Sequence, residues 1–346
     1  MNLTAIISLN QIKQNIAEIR LQTLKKMFLV VKANAYGLGL SVVVQNLQNY
    51  VDAFAVATID EALQTRQNTT KPILMLQPCE NYFDLIFNNI DITITSVEQL
   101  RKLICCAQTL NQNANIHIKV NTGMNRFGVK NLDEFKKMLA IARACKCVKL
   151  VAVYSHFFTE NQDVCNLQIN AFLPFKNCAK KLFANVDFHI EASGALNFNY
   201  NGFDAIRVGK EAYGVCAGKQ SLTIASFVTS VFDVAKGESI GYNASYICAE
   251  PKKIATVFGG YADGIDKRLK NFAVCINGKP CKICGEICMD TFMVDVTNTP
   301  TYIGDSVIIT DSILPLESLA HHCNTISYEL ITGFKGRYNN YYIGVL

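Results

Sequence analysis

The chain has 346 residues, 50% of them hydrophobic and 18% charged, with a formal net charge of +5. This balance excludes intrinsic disorder and gives no electrostatic footprint for nucleic acid. The length leaves room for two domains at about 100–200 residues each, while no apolar run approaches the ~18 residues of a membrane span.

The N-terminal stretch MNLTAIISLNQIKQN has neither the basic n-region nor the small-residue cleavage site of a signal peptide. Short runs rich in Val, Ile and Phe then predict strands at Met27–Val31, Ala53–Ala57, Ile73–Leu76, Ile92–Thr95, Ile116–Val120, Leu150–Tyr154, Phe188–Ile190 and Ala205–Val208. The stretches between them carry apolar residues at helical spacing, as in Phe135, Met138, Leu139 and Ala142. Apolar strands alternating with helices imply a parallel sheet covered on both faces. Eight such units fit a (β/α)8 TIM barrel over residues 1–220, with a doubly wound open sheet as the alternative. After Gln220 the pattern becomes period-two, with an Asn277-Gly278 turn and one helical stretch near Leu314–His321. Residues 221–346 therefore read as a mostly β C-terminal domain, with which the first few residues of the chain can pair. No low-complexity linker separates the two, and the 14 cysteines read as reduced thiols of a cytoplasmic protein.

Polar residues gather just past the C-terminal ends of the proposed barrel strands, where barrel enzymes place their sites. Lys32, in VVKANAYGLG, follows the first strand; burial there lowers an amine's pKa and frees it to form a Schiff base with a carbonyl cofactor. The plain alternative is a lysine snorkelling at a strand end. Arg126 sits in the Gly-punctuated loop NTGMNRFGV and can clamp a carboxylate or phosphate, or else be a surface arginine. His156 closes the sixth strand as a catalytic or a core imidazole. Ser193-Gly194 and Arg207-Val208-Gly209 fall after strands seven and eight, the usual phosphate site of this barrel. Cys281, Cys284 and Cys288, with Cys275 upstream, loosely suggest a metal site. Their strand-like surroundings fit buried thiols better, and no metal is expected. His321-His322 reads as a solvated helix end.

Together these motifs make the sequence similar to the bacterial alanine racemases, over nearly the whole chain. ISLNQIKQNIAEIR, VVKANAYGLG, FAVATIDEALQTR, IKVNTGMNRFGV, SHF, IRVGKEAYG, GYNASY, GGYADG and CMDTFMVDV follow in the family's order. The resemblance implies a barrel followed by a β domain, pyridoxal 5′-phosphate as cofactor, and interconversion of L- and D-alanine that supplies D-alanine for peptidoglycan. It implies that Lys32 holds the cofactor and serves as one base, and that Tyr242 is the second. Tyr36, Ser193 and the backbone around Gly209 and Lys210 would contact the phosphate. Arg207 would face the pyridine nitrogen and His156 would pack against the ring. Arg126 and the Met289 backbone would hold the substrate carboxylate, and Tyr261 would line the entrance. Tyr36 and Tyr261 would narrow the pocket to a small side chain. Tyr242 and Met289 reach the cofactor from the other subunit in this family, so a homodimer with shared sites is implied. Lys119 matches a lysine that in many members carries CO₂ as a carbamate.

The pattern departs at Asn121, which replaces an acid, at Asn125, which replaces a common glycine, and at Glu191-Ala192 before the phosphate serine. GFKGRYNNYY lacks an aligned second phosphate-contact tyrosine, although Tyr338 is adjacent. A two-base racemase needs a cation or a hydrogen-bond chain to support its tyrosine, and His156 backed by Arg207 is the candidate. Rival readings are a decarboxylase of the same architecture, a broader amino-acid racemase, a non-enzymatic cofactor-binding barrel and a cysteine-rich metal protein.

Overall fold

The computed structural model describes residues 2–192, 198, 200–215 and 218–345. The chain opens with β1 (Leu3–Ser8) and runs directly into a helix at Leu9–Gln22. Eight strands follow: β2 (Lys26–Val30), β3 (Ala53–Val56), β4 (Ile73–Met75), β5 (Asp91–Ile94), β6 (Ala114–Lys119), β7 (Val148–Tyr154), β8 (Asp187–His189) and β9 (Ala205–Val208). They form one parallel sheet in the order β8-β7-β6-β5-β4-β3-β2-β9, the eight strands predicted from the apolar runs.

The two ends of this row meet. Asp204 N–H donates to the Phe188 carbonyl at 2.8 Å, Arg207 N–H donates to Glu191 at 3.2 Å, and Ala192 bridges Arg207 in parallel register. Strands β3, β4, β5 and β9 are buried along their whole length, as a parallel sheet covered on both faces requires. The covering helices start on side-chain caps: Thr58, Ser96, Asn131 and Asn161 each accept a backbone N–H of the first turn. Helix Leu132–Ala144 buries Phe135, Met138, Leu139 and Ala142, the stripe its periodicity predicts. Phe28 on β2 touches His117 on β6 and His189 on β8, with ring centroids 6.3 Å and 5.5 Å apart. Since β2 neighbours neither strand in the sheet, these side chains fill the barrel interior.

The chain divides into two compact units: residues 16–35 with 39–209, which hold the barrel, and residues 1–15 and 36–38 with 210–346. In the second unit the row is β13 (Lys252–Phe258), β16 (Thr291–Asp295), β15 (Lys279–Cys284), β14 (Ala273–Ile276), β17 (Ser306–Thr310), β10 (Leu222–Val234), β1 and β18 (Tyr338–Ile343). Strand β10 pairs with β1 and β17 through its first half and with β13 through its second, so the row closes back on itself past a bulge between Val228 and Ser230. Strand β1, which the periodicity did not reveal, lies antiparallel to β10 and parallel to β18, burying Leu3, Ala5 and Ile7. The turn between β14 and β15 is the predicted Asn277-Gly278 pair. Both residues have positive φ (49° and 74°), which a two-residue hairpin of this hand requires. A short hairpin, β11 (Ser239–Ile240) with β12 (Tyr246–Ile247), carries the GYNASY motif at its tip.

One expectation is corrected here. The second half holds helices at Leu316–His322 and Ser327–Gly333, beyond the single helical stretch read from sequence. Each spans only about two turns, too short for periodicity to register reliably. Cys284 packs into an apolar cluster with Val234, Ile240, Cys248, Ile254 and Met293. Cys281 is equally buried and reaches the Thr299 hydroxyl. Among the described residues no helix is long and apolar enough to cross a membrane.

Candidate active site

Lys32 follows β2 and is half-buried at the C-terminal rim of the barrel. The four residues after it, Ala33, Asn34, Ala35 and Tyr36, all have positive φ, between 52° and 59°. A left-handed turn costs about 1–2 kcal/mol for each residue with a side chain, asparagine least. The surroundings hold it in place. Ala33 N–H donates to Glu61 Oε1 at 2.6 Å, Ala35 N–H to the Val31 carbonyl at 2.8 Å, and Asn34 Oδ1 accepts from Leu40 N–H at 2.8 Å. Glu61 also completes the capping box of helix Ile59–Arg66 with Thr58, which ties the motif FAVATIDEALQTR to the lysine turn. The Lys32 pKa is lowered by burial and by the Arg126 guanidinium, against a smaller opposing effect of Glu61. That is the direction a nucleophilic amine needs.

The other predicted residues of the barrel unit gather around the same charges. Lys119, the last residue of β6, is buried with its Nζ 4.5 Å from the centroid of the Tyr154 ring. Burial first, then Arg207, Arg126 and Lys32, push its pKa down to about 7. Arg126 is exposed on its loop and lies over Phe127. The departure at Asn121 has a structural reason, since its Oδ1 accepts from Gly123 N–H at 3.0 Å and Asn125 N–H at 3.1 Å. Asn125 in turn takes a left-handed φ of 56° without a glycine. Glu191, at another departure, is ion-paired to Lys25.

Arg207 on β9 is buried and donates to the Ser155 carbonyl at 2.8 Å, the Ile190 carbonyl at 3.2 Å and His156 Nδ1 at 3.1 Å. It also donates to His189 Nδ1. Burial lowers its pKa to about 10, so it stays a cation at neutral pH. The same geometry decides between the two kinds of support the sequence left open for His156, a cation or a hydrogen-bond chain. Burial and the cations Arg207, Lys119, Arg126 and Lys32 push its pKa to about 2, so it is a neutral imidazole and not a cation. With Nδ1 accepting from Arg207, its Nε2 carries the hydrogen and can only donate.

In the second unit Tyr242 stands at the hairpin tip, 68% exposed, and Met289 is 53% exposed. Both line one open pocket of about 580 Å³, with Cys288, Asp290, Thr256 and Met293. The GGYADG loop lies directly on the Cys288–Met289 backbone. Tyr261 N–H donates to the Cys288 carbonyl at 3.0 Å and Ala262 N–H to Met289 at 3.2 Å. A Cβ on Gly260 would stand 2.2 Å and 2.4 Å from those carbonyl oxygens, so only glycine admits this approach. Asp263 is fully buried beneath it. Burial raises the Asp263 pKa, but Arg337, at 2.6 Å and 2.8 Å, and the Gly260 N–H outweigh that and hold it low. Arg337 also pairs with Asp290 at 2.8 Å. Tyr338 donates its hydroxyl to the Asp263 carbonyl and is thus committed to this loop. Tyr261 is 44% exposed.

Tyr36 is buried against Tyr213 and Tyr328, with centroids 5.1 Å and 5.9 Å away. Burial and Glu211 push its phenol up to about 12, which keeps it a hydrogen-bond donor. Gly209 follows β9 and Lys210 opens a one-turn helix, Lys210–Tyr213. Ser193 lies outside the described residues.

The donor set is the one an aldehyde-bearing anionic cofactor needs: an amine with a lowered pKa, a buried guanidinium held by four acceptors, and a neutral imidazole. Sequence reasoning missed Asp91, His117 and His189, which join Arg207 inside the barrel. His117 Nε2 is 3.2 Å from Asp91 Oδ2, and His117 Nδ1 is 3.3 Å from His189 Nε2. The signal was present, because each histidine sits between two apolar residues of a barrel strand, as Ile-His-Ile and Phe-His-Ile.

Comparison with known proteins agrees with this architecture. Family models described as alanine racemase, N-terminal domain, and alanine racemase, C-terminal domain, match residues 7–217 and 221–342. The chain is 33% identical to an alanine racemase of Photobacterium profundum, covering 98% of this chain and 99% of that one. It is 31% identical to alanine racemase 1 of Caldanaerobacter subterraneus, over 95% of this chain and 92% of the relative. The solved alanine racemase of Clostridium difficile 630 superposes with a TM-score of 0.94 at 27% identity, covering 99% of this chain and 96% of that structure. The chain belongs to the alanine racemase family.

Proposed function

We propose that the chain racemises alanine by a two-base mechanism with pyridoxal 5′-phosphate, and so supplies D-alanine for peptidoglycan. The carrying observation is that Arg207, buried and held by four acceptors, shares one charge cluster with the half-buried Lys32. When bound, pyridoxal phosphate supplies an electron sink for charge developing at the α-carbon.

The chain's residues do the rest. Lys32 would hold the cofactor through Nζ and would move the α-proton on one face; its lowered pKa makes the neutral amine accessible. Tyr242 of the partner subunit serves the opposite face. Its exposure beside Met289 fits a pair of side chains awaiting a second copy, and the active form is a homodimer. His156 donates from Nε2 toward the phenol oxygen, supporting a phenolate by hydrogen bonding in place of charge. Arg207 would face the ring nitrogen; a guanidinium does not release its proton, so Arg207 would leave that nitrogen unprotonated and limit transamination. Tyr36, Ser193 and the backbone at Gly209 and Lys210 would hold the phosphate. Arg126 and the Met289 backbone hold the substrate carboxylate, and Tyr36 and Tyr261 narrow the pocket.

Lys119 is the remaining element. A buried amine with a pKa near 7 is largely neutral at physiological pH, the form that adds CO₂ to give a carbamate and a proton. That carbamate would orient Arg126. The free thiols of the described residues fit a reducing cytoplasm.

The test is incubation of the purified protein and pyridoxal phosphate with L-alanine in D₂O. α-Deuterium uptake by NMR, with drift to equal enantiomers on a chiral column, is the expected result. Uptake with retained chirality would leave a single working base and refute the role of Tyr242. Release of CO₂ from a basic amino acid, with neither signal from alanine, would replace racemisation by decarboxylation.

A further inference from the structure

The Asp91–His117–His189–Arg207 series can be solved link by link. A guanidinium has donors and no acceptor, so the Arg207–His189 contact requires a bare His189 Nδ1. Burial and the same guanidinium hold His189 far below the usual imidazole range, so it keeps one hydrogen, which is then on Nε2. Nε2–H points to His117 Nδ1 at 3.3 Å, which must accept it. That leaves the His117 hydrogen on Nε2, facing Asp91 Oδ2 at 3.2 Å. The opposite sense would place two hydrogens face to face at Arg207. The members are between 0% and 4% exposed, so water cannot substitute for a missing partner. Ring packing fixes the planes as well: His189 stacks between Tyr154 (4.7 Å) and Phe28 (5.5 Å), and His117 meets Tyr154 edge-on.

We propose that Asp91, His117 and His189 form a one-way hydrogen-bond relay, donating from Arg207 to the Asp91 carboxylate, that fixes the orientation and proton content of Arg207. They are positioning residues, since they act through Arg207. The carboxylate at the far end balances a cation buried in the barrel, and it polarises both imidazoles so that His189 Nδ1 is a stronger acceptor. As a device for catalysis the relay rests on the reading that Arg207 faces the cofactor. As a pattern of tautomers it stands on the hydrogen bonds alone.

The test is long-range ¹⁵N–¹H NMR of the histidine side chains in the full-length protein, with and without added pyridoxal phosphate, from about pH 6 to about pH 9. His117→Gln and His189→Gln spectra assign the two resonances. Both rings are expected as the neutral Nε2–H tautomer throughout. An Nδ1–H tautomer or an imidazolium at either position overturns the relay. Asp91→Asn, which keeps an acceptor but removes the charge, should lower kcat about 10- to 100-fold with KM for alanine nearly unchanged. It should also shift the His189 resonance, 2 rings away along the relay. Asp91→Glu should recover much of kcat. An unmoved His189 resonance in a folded Asp91→Asn protein refutes the coupling. The spectra need no substrate, so a protein with the expected tautomers and no α-proton exchange would condemn the racemase reading and leave the relay intact.

Discussion

The two sets of functional side chains differ in how far each is finished within its own unit. In the barrel, Arg207 has its acceptors, Lys32 its strained and bonded turn, and Lys119 and His156 pKa values already pushed to their working side. In the second unit, Tyr242 and Met289 stand exposed at a hairpin tip and on a loop, around an open pocket. Behind them the support is rigid: the Gly260 contact and the Arg337–Asp263 pair fix the backbone. The difference teaches that electrostatic preorganisation is built where burial is deep, while the groups proposed to serve a second chain are left open on a firm base.

The largest effects should come from the two proposed bases. Lys32→Ala removes the proposed anchor and one proposed base, and racemisation should fall on the order of 10⁴-fold or more, measured on a chiral column. Tyr242→Phe should cost roughly 10²–10⁴-fold in the same assay. It should also leave α-deuterium exchange for one enantiomer and abolish it for the other, because Lys32 still serves its face. Exchange lost equally from both would mean that Tyr242 is not a base.

These two variants also test whether the open set is completed by a second chain. Mixed and allowed to exchange subunits, Lys32→Ala and Tyr242→Phe proteins should form heterodimers in which one site carries both defects and the other none. Random pairing then restores about a quarter of wild-type activity. Recovery no better than either parent would place both bases of a site in the same chain.

A smaller effect probes the firm base itself. Gly260→Ala introduces a methyl 2.2 Å from the Cys288 carbonyl oxygen, at a backbone φ of −153° that alanine tolerates. The cost is therefore overpacking, about 1–3 kcal/mol of stability, read from thermal or denaturant unfolding. If Met289 positions the substrate, KM for alanine should rise as well, while Lys32 chemistry is untouched.

Much of this was legible in the sequence, and the illegible parts share a cause. The barrel strands announced themselves as continuous apolar runs because both of their faces are buried. Lys32, Arg126, His156 and Arg207 fell at strand ends or in the loops after them, where a barrel exposes chemistry. The sequence allowed the first few residues to pair with the second half but could not name their partners, β10 and β18, because these lie more than 200 residues away and pairing at that range leaves no local pattern. The left-handed turn at Ala33–Tyr36 contradicts the local preference of alanine and tyrosine and is imposed by Glu61 and Asn34. His117 and His189 looked like core because they are core. Their chemistry lies in the direction of their hydrogen bonds, which strand periodicity does not encode.

The smallest effect concerns Lys119 and carries a definite sign. Its pKa falls from 10.5 to about 7 on folding, through burial first and the neighbouring cations second. Between those values the unfolded chain binds a proton that the folded chain does not, so stability rises with pH across that window. Below about pH 7 both states are protonated and the burial cost is fully present. In CO₂-free buffer the stability of wild type relative to Lys119→Met should therefore climb from about pH 7 toward pH 10, by at most about 1.4 kcal/mol per pH unit. Added bicarbonate should extend the climb below pH 7, because a carbamate forms only from the neutral amine and so releases the lysine's proton at a lower pH in the folded chain. A difference that does not change with pH in either buffer would mean that Lys119 keeps its proton on folding, and the closed character ascribed to the barrel set would fail at that residue.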